Sequence, residues 1–110
     1  MLVADLMKLK SARVPTIRMS ENIEMATTLL NREHIGAVVV KDGRIVGEGF
    51  NHSVAHWDPT SHGETEAIRD ACRRLRTVDL SGCALYTSCE PCALCVAAMH
   101  IAGIGQLYYA

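Results

Sequence analysis

Pro91-Cys92-Ala93-Leu94-Cys95 sets two thiols one helical turn apart, and Ser61-His62-Gly63-Glu64 sets an imidazole two residues before a carboxylate. Cysteines at i and i+3 lie on one helix face, so both sulfurs can reach one ion. A catalytic zinc keeps three protein ligands and leaves a fourth position for water. His62, Cys92 and Cys95 make three. Pro91 is expected at the first helical position, where it has no N–H to leave unpaired. The thiols then fall in the first turn, where the positive end of the helix dipole favours thiolate. His62 is expected to open a second helix, so two helix N-termini would offset part of the charge of two thiolates. Glu64 is offset by two residues and faces another direction. That offset suits a proton carrier beside a bound water better than a ligand.

The chain has 110 residues, enough for one small domain with a core but not two. Hydrophobic residues make up 49%, as in folded globular proteins, and the formal charge of −1 points to no polyanion-binding surface. No apolar run approaches the length of a membrane span. Met1 to Leu9 carries Asp5 and lacks a basic start, so no secretion signal is expected. Five cysteines, an odd number with one Cys-x-x-Cys pair, favour a reducing, cytoplasmic setting and a metal site over a disulfide framework.

Residues 1–18 read as an N-terminal arm and residues 19–110 as a single domain. Ser20 is a plausible N-cap, and Ile23, Ala26 and Leu30 recur at helical spacing, which predicts a helix over about Glu21 to Asn31. Ile35 to Val40 is a β-branched run. Asp42-Gly43 is a turn signal, and Ile45 to Gly49 continues as the partner strand of a hairpin. Asn51 to Ser61 reads as a loop, with Asp58-Pro59 its strongest turn signal. A helix from Glu64 to about Arg76 places Ala67, Ile68, Ala71 and Leu75 on an inward stripe. Cys83 to Ser88 is a strand. The helix from Pro91 to about Ala102 is apolar on most sides, so it is expected to be buried, and Gly103 ends it. Ile104 to Tyr109 is a last strand. Strand, helix, strand in that order implies a right-handed parallel crossover. The expected architecture is α/β: a mixed sheet, hairpin first and then parallel strands, with helices on both faces in three layers.

At His62-Gly63-Glu64 and Pro91 to Cys95 the chain resembles the cytidine and deoxycytidylate deaminase superfamily, whose zinc signature is His-x-Glu followed by Pro-Cys-x-x-Cys. Asp58 to Glu64, Glu66 to Arg69, Leu85 to Cys92 and the Val38 to Gly43 hairpin are similar to the nucleobase branch, guanine deaminases especially. The resemblance implies Zn2+ on His62, Cys92 and Cys95, with Glu64 as proton shuttle. It implies hydrolytic deamination by zinc hydroxide of a nucleobase or nucleoside, guanine or another aminopurine first. Asn51 is expected to hydrogen-bond the base, and the Gly63 backbone and Ser88 carbonyl to hold its reacting edge. The other options are a tRNA adenosine deaminase, a cytosine-type deaminase, or a non-catalytic zinc-stabilised truncated relative. The family usually has alanine where this chain has Gly63, and often a Gly/Pro-rich turn where this chain has Asn31 to His34. Relatives also continue with a further helix and strand. The strand edge at Leu107 to Tyr109 is therefore expected to be covered in a homodimer or higher oligomer. Neither nucleic acid nor membrane is expected as a partner.

Each of these readings has a plainer rival. A lone Cys-x-x-Cys also serves redox pairs, and a structural zinc would recruit Cys89 or Cys83 as fourth ligand. Cys72 and Cys83 read as small core residues. Glu64 could be an ordinary first-turn acid, and Asn51 an ordinary turn residue. His34, His52 and His56 read as solvent-exposed. Trp57 either stacks on a base or packs as any aromatic does. Arg69, Arg73, Arg74 and Arg76 read as a solvated helix face rather than a nucleic-acid patch.

Overall fold

The structure, a computed structural model, describes residues 36–109. The arm and the helix expected over Glu21 to Asn31, with His34, lie outside the described residues. The elements run β1 (Ala37–Lys41), β2 (Arg44–Gly49), α1 (Gly63–Leu75), β3 (Ala84–Thr87), α2 (Ala93–Ala102) and β4 (Gln106–Tyr109). The sheet order is β2-β1-β3-β4, with β1 antiparallel to both neighbours and β3 parallel to β4. This is the mixed sheet that the sequence predicts: a hairpin first, then a parallel crossover through α2.

The hairpin turn is Asp42-Gly43, with φ of 51° and 74° at the two residues and Lys41 opposite Arg44. Both positive φ values are what a two-residue turn matched to strand twist requires, and glycine adopts one without steric cost. Along β1 the side chains alternate. Ala37 and Val39 enter the core under the helices, while Val38 enters a second cluster on the opposite face with Ala84 and Tyr86. A bulge leaves Val46 without a partner, between the pairs Val39–Gly47 and Val40–Ile45. The extra residue sends Ile45 to the second face and Val46 to the first.

Both described helices pack on the first face. Ala67, Ile68 and Ala71 of α1 meet Leu85 of β3, Leu107 of β4 and Met99 of α2 in one buried cluster that Leu75 lines. Within the described residues this makes two layers, with both helices on one face of the sheet, rather than the three layers expected. Cys83 is buried and Cys72 half-buried in the same cluster, as small core residues.

Helix α1 lies directly on β2 because the strand offers no side chains there. A Cβ on Gly49 would sit 2.3 Å from the Ala67 nitrogen and from the Gly63 oxygen, and one on Gly47 would sit 2.5 Å from the Ala67 oxygen. At the outer edge, the Glu48 N–H donates to Asp70 Oδ2 at 2.9 Å, so α1 also covers part of that strand's free backbone.

Helix ends depart from expectation in two ways. Helix α1 stops at Leu75 with Arg76 in the left-handed region at φ 53°. Helix α2 begins at Ala93 with Cys92 as its N-cap, so Pro91 precedes the cap rather than opening the helix. Gly103 ends α2 at φ 87°, with its N–H on the His100 carbonyl, as predicted. The outer side of α2 is not buried: Ile101 is 84% exposed, and Leu94 also reaches solvent. No helix of the described residues is long and apolar enough to cross a membrane.

Candidate metal centre and cleft

The two helix starts meet. His62 is the N-cap of α1, Cys92 the N-cap of α2, and Cys95 its third residue. His62 Nδ1 lies 3.5 Å from each of Cys92 Sγ and Cys95 Sγ, and the two sulfurs are 3.7 Å apart. Tetrahedral zinc, with Zn–S of about 2.3 Å and Zn–N of about 2.0–2.1 Å, requires S···S near 3.8 Å and S···N near 3.6 Å, both approximate. The three donors therefore stand as the ion needs them, on the Nδ1 side of the imidazole, and among the described residues they form the one such cluster. The redox reading of the Cys-x-x-Cys pair does not account for the imidazole midway between the sulfurs. Cys89, a possible fourth ligand, is exposed and outside the cluster, and Cys83 is buried in the core.

Burial, and then the neighbouring Glu64 carboxylate, push the Cys95 thiol well up from its ordinary value. A buried thiolate beside a carboxylate is held only with a compensating cation, so the chemistry of the donor set also fits a divalent metal. Cys92, by contrast, is exposed at the rim.

Glu64 is not a ligand in this geometry. It is 7% exposed; its Oε1 accepts from Thr87 Oγ1 at 2.6 Å, and its Oε2 lies 3.3 Å from Cys95 Sγ. A first-turn acid placed only for the helix dipole would sit in water. This one turns inward, onto the end of β3.

The start of α1 is held by a network. Thr65 Oγ1 accepts the His62 N–H at 3.0 Å and donates to the Thr60 carbonyl at 2.6 Å. Ser61, fully buried, donates to Glu66 Oε1 at 3.0 Å, and Arg69 pairs with the same oxygen. Burial would raise the Glu66 carboxyl, yet the Ser61 and Arg69 hydrogen bonds take it below its ordinary value. Asp58 accepts from the Thr60 hydroxyl at 2.6 Å and from its N–H at 2.8 Å, and these bonds lower its carboxyl too.

An open cleft of about 300 Å³ runs beside the metal centre, and Gly36, Asn51, Gly63, Glu64, Ser88 and Cys92 are among its lining residues. The three residues expected at the substrate thus line one cleft with Glu64. Asn51 is also a turn residue, since its Oδ1 accepts the Ser53 N–H at 2.8 Å. Gly63 is at the first position of α1, where an N–H has no intrahelical acceptor. A Cβ there would stand 3.1 Å from the Gly36 Cα, so two glycines let the helix start and the head of β1 touch.

His52 is not solvent-exposed as expected. It is half-buried between Phe50 and His56, with ring centroids 4.1 Å and 4.6 Å away. His56 is exposed. Trp57 is 90% exposed at φ 52° and is not among the cleft's lining residues, so ordinary packing does not describe it. The four arginines are exposed; Arg69 pairs with Glu66, and Arg74 with Asp70 at 3.0 Å.

Sequence reasoning missed Gly36 and Thr87. The Gly36 carbonyl accepts from the Ser88 N–H at 3.1 Å and lies 3.1 Å from Thr87 Oγ1. The available signals were a glycine within a β-branched run and a short hydroxyl side chain, Thr87, closing the strand Ala84 to Thr87.

Comparison with known proteins agrees with this geometry. Residues 16–110 match the family described as the cytidine and deoxycytidylate deaminase zinc-binding region. Guanine deaminase of Bacillus subtilis (strain 168) is 49% identical over 75 residues, covering 68% of this chain and 48% of the relative. The tRNA-specific adenosine deaminase of Aquifex aeolicus (strain VF5) is 41% identical over 75 residues, covering 68% and 50%. The X-ray structure of guanine deaminase from Bacillus subtilis superposes with a TM-score of 0.72 at 40% identity, covering 84% of this chain and 64% of that one. The chain spans about half the length of these curated relatives. A zinc-spaced triad held at two helix starts, on a sheet of this order and in a sequence matched from residue 16 to 110, places the chain in the cytidine and deoxycytidylate deaminase zinc-binding family.

Proposed function

We propose that the protein is a zinc-dependent hydrolytic deaminase of a free aminopurine, guanine first. The observation that carries this reading is the pairing of an open-sided metal triad with a buried carboxylate whose Oε2 is 3.3 Å from one of the ligand sulfurs. Zinc, when bound there, lowers the pKa of a water so that it can act as nucleophile near neutral pH. Glu64 accepts the proton that the water loses and returns it to the departing amino nitrogen, which leaves as ammonia. The Gly63 N–H and the Ser88 carbonyl hold the reacting edge of the ring, one as donor and one as acceptor. Asn51 spends its Oδ1 on the turn and directs its NH2 donors to ring acceptors. A cleft of about 300 Å³ has room for one base beside the metal triad.

Similarity to the Bacillus subtilis guanine deaminase supports guanine, and similarity to the Aquifex aeolicus enzyme supports adenosine in tRNA as the second reading. Ammonia release is the test, with guanine, adenine, cytosine, their nucleosides and tRNA offered to zinc-loaded protein. Guanine should be turned over, and Glu64→Ala should lose a factor of about 10² to 10⁴. Turnover of tRNA alone would replace the first reading with the second. A zinc-loaded protein inactive on every compound would overturn both.

Five unpaired thiols among the described residues fit a reducing, cytoplasmic setting. The edge position of β4 in the described sheet supports self-association, which sedimentation would measure.

A further inference from the structure

Strand β3 is buried at every position, and its last residue, Thr87, is its only hydroxyl other than that of Tyr86. Thr87 shares the helix-facing side of the strand with Leu85, two residues earlier, so its side chain points toward the start of α1. It is 2% exposed. Its Oγ1 is 2.6 Å from Glu64 Oε1 and 3.1 Å from the Gly36 carbonyl. A hydroxyl carries one proton, and the shorter, charge-assisted bond takes it. The β-branched side chain has few χ1 choices, so the oxygen stays where the strand end puts it. The strand end is itself held by the bond from the Ser88 N–H to the Gly36 carbonyl, at 3.1 Å.

The two carboxylate oxygens of Glu64 therefore differ. Oε1 accepts from the Thr87 hydroxyl, while Oε2 accepts from the Cys95 thiol at 3.3 Å, a donor that is lost once that sulfur is a thiolate holding a metal. We propose that Thr87 is a positioning residue that engages Oε1 so that Oε2 alone carries the proton. This deepens the Glu64 reading above and rests on it. The step balances without another reactant: the proton that Oε2 takes from the water is the one it gives to the leaving nitrogen. A donor that merely satisfied a buried carboxylate would support folding. A positioning donor sets where the working oxygen points, and misplacing such a group slows the chemical step while substrate binding is kept.

The test uses the full chain loaded with zinc, as wild type, Thr87→Val, Thr87→Ser, Glu64→Ala and the double variant of Glu64→Ala with Thr87→Val. With guanine, Thr87→Val should lose about 10- to 100-fold in kcat, with KM within about two-fold and one zinc per chain retained. Thr87→Ser keeps the hydroxyl and should stay within about three-fold of wild type. Urea midpoints need no substrate. Thr87→Val should shift the midpoint clearly less in the Glu64→Ala background than in wild type, because the partner is already gone. Equal midpoint shifts in the two backgrounds would overturn the pairing. A wild-type kcat in Thr87→Val, or a Thr87→Ser as slow as Thr87→Val, would overturn the positioning role. Undiminished turnover in Glu64→Ala would bring down the reading of Glu64 itself, whatever the Thr87 variants do.

Discussion

The start of α1 and the start of α2 bring ligands to the same point by different means. Around His62, Thr65 bonds backward to the His62 N–H and to the Thr60 carbonyl, Ser61 is fully buried on Glu66, and Asp58 gathers both polar groups of Thr60. Around Cys92 the chain is exposed from Ser88 to Glu90, and the N-cap side chain makes no capping hydrogen bond. The imidazole and Glu64 are thus set by the protein's own hydrogen bonds. The sulfur side is anchored by Pro91 and Cys95, both fully buried, and is left for the ion to tie together. A metal that bridges a half held by a polar network and a half exposed over Ser88 to Glu90 adds most order on the exposed side.

Removing the ion is the strongest way to break that contrast. Chelation should cost backbone-amide protection mainly over residues 88–96 and much less over residues 60–67, read by hydrogen exchange. The apparent stability should fall by about 2.7 kcal/mol for each condition in which free zinc had stood at 100 times its dissociation constant. Equal loss at both helix starts would mean that neither is preorganised. Next in size is the seating of α1 on β2. Gly49→Ala puts a methyl group where the Ala67 nitrogen and the Gly63 oxygen are 2.3 Å away. It should cost about 1–3 kcal/mol in urea unfolding and weaken zinc binding, because His62 and Glu64 move with the helix. Thr65→Val removes the back-bond to His62 and should cost about 1 kcal/mol while zinc stoichiometry stays at one.

The smallest effect is a pH dependence. The folded-state carboxyl of Glu66 is lowered from its ordinary 4.5. Its contribution is therefore complete above that value and lost as the pH falls through the lowered one. Below about pH 4.5, wild type should lose stability faster than Glu66→Gln, by under about 1 kcal/mol for a pair this exposed. Parallel acid curves for the two proteins would remove Glu66 from the brace.

Much of this was legible in the chain. Asp42-Gly43 between two β-branched runs can do little but turn, and Ala67, Ile68 and Ala71 at helical spacing can bury only one stripe. The ligand triad and Glu64 were legible because ligand chemistry restricts residue type and spacing together. Less was legible where contact depends on elements distant in sequence. Ile101 reads as core by composition, yet it is exposed because the described fold puts nothing against that side of α2. His52 reads as a polar loop residue, yet it is sandwiched by Phe50 and His56. Gly47 and Gly49 read only as members of the hairpin's second strand, and only the arrival of α1 shows that a side chain there would collide with a helix.

Local order in the chain was thus enough to specify the hairpin, the helices and the set of donor atoms, since turns, stripes and ligands depend on near neighbours. It could not specify which oxygen of Glu64 is engaged, since Thr87 lies 23 residues away and reaches it only when β3 ends beneath α1. Nor could it foresee that Gly36 and Gly63 touch. Those contacts come from the stacking of a helix on a sheet, where separation in space bears no relation to separation along the backbone.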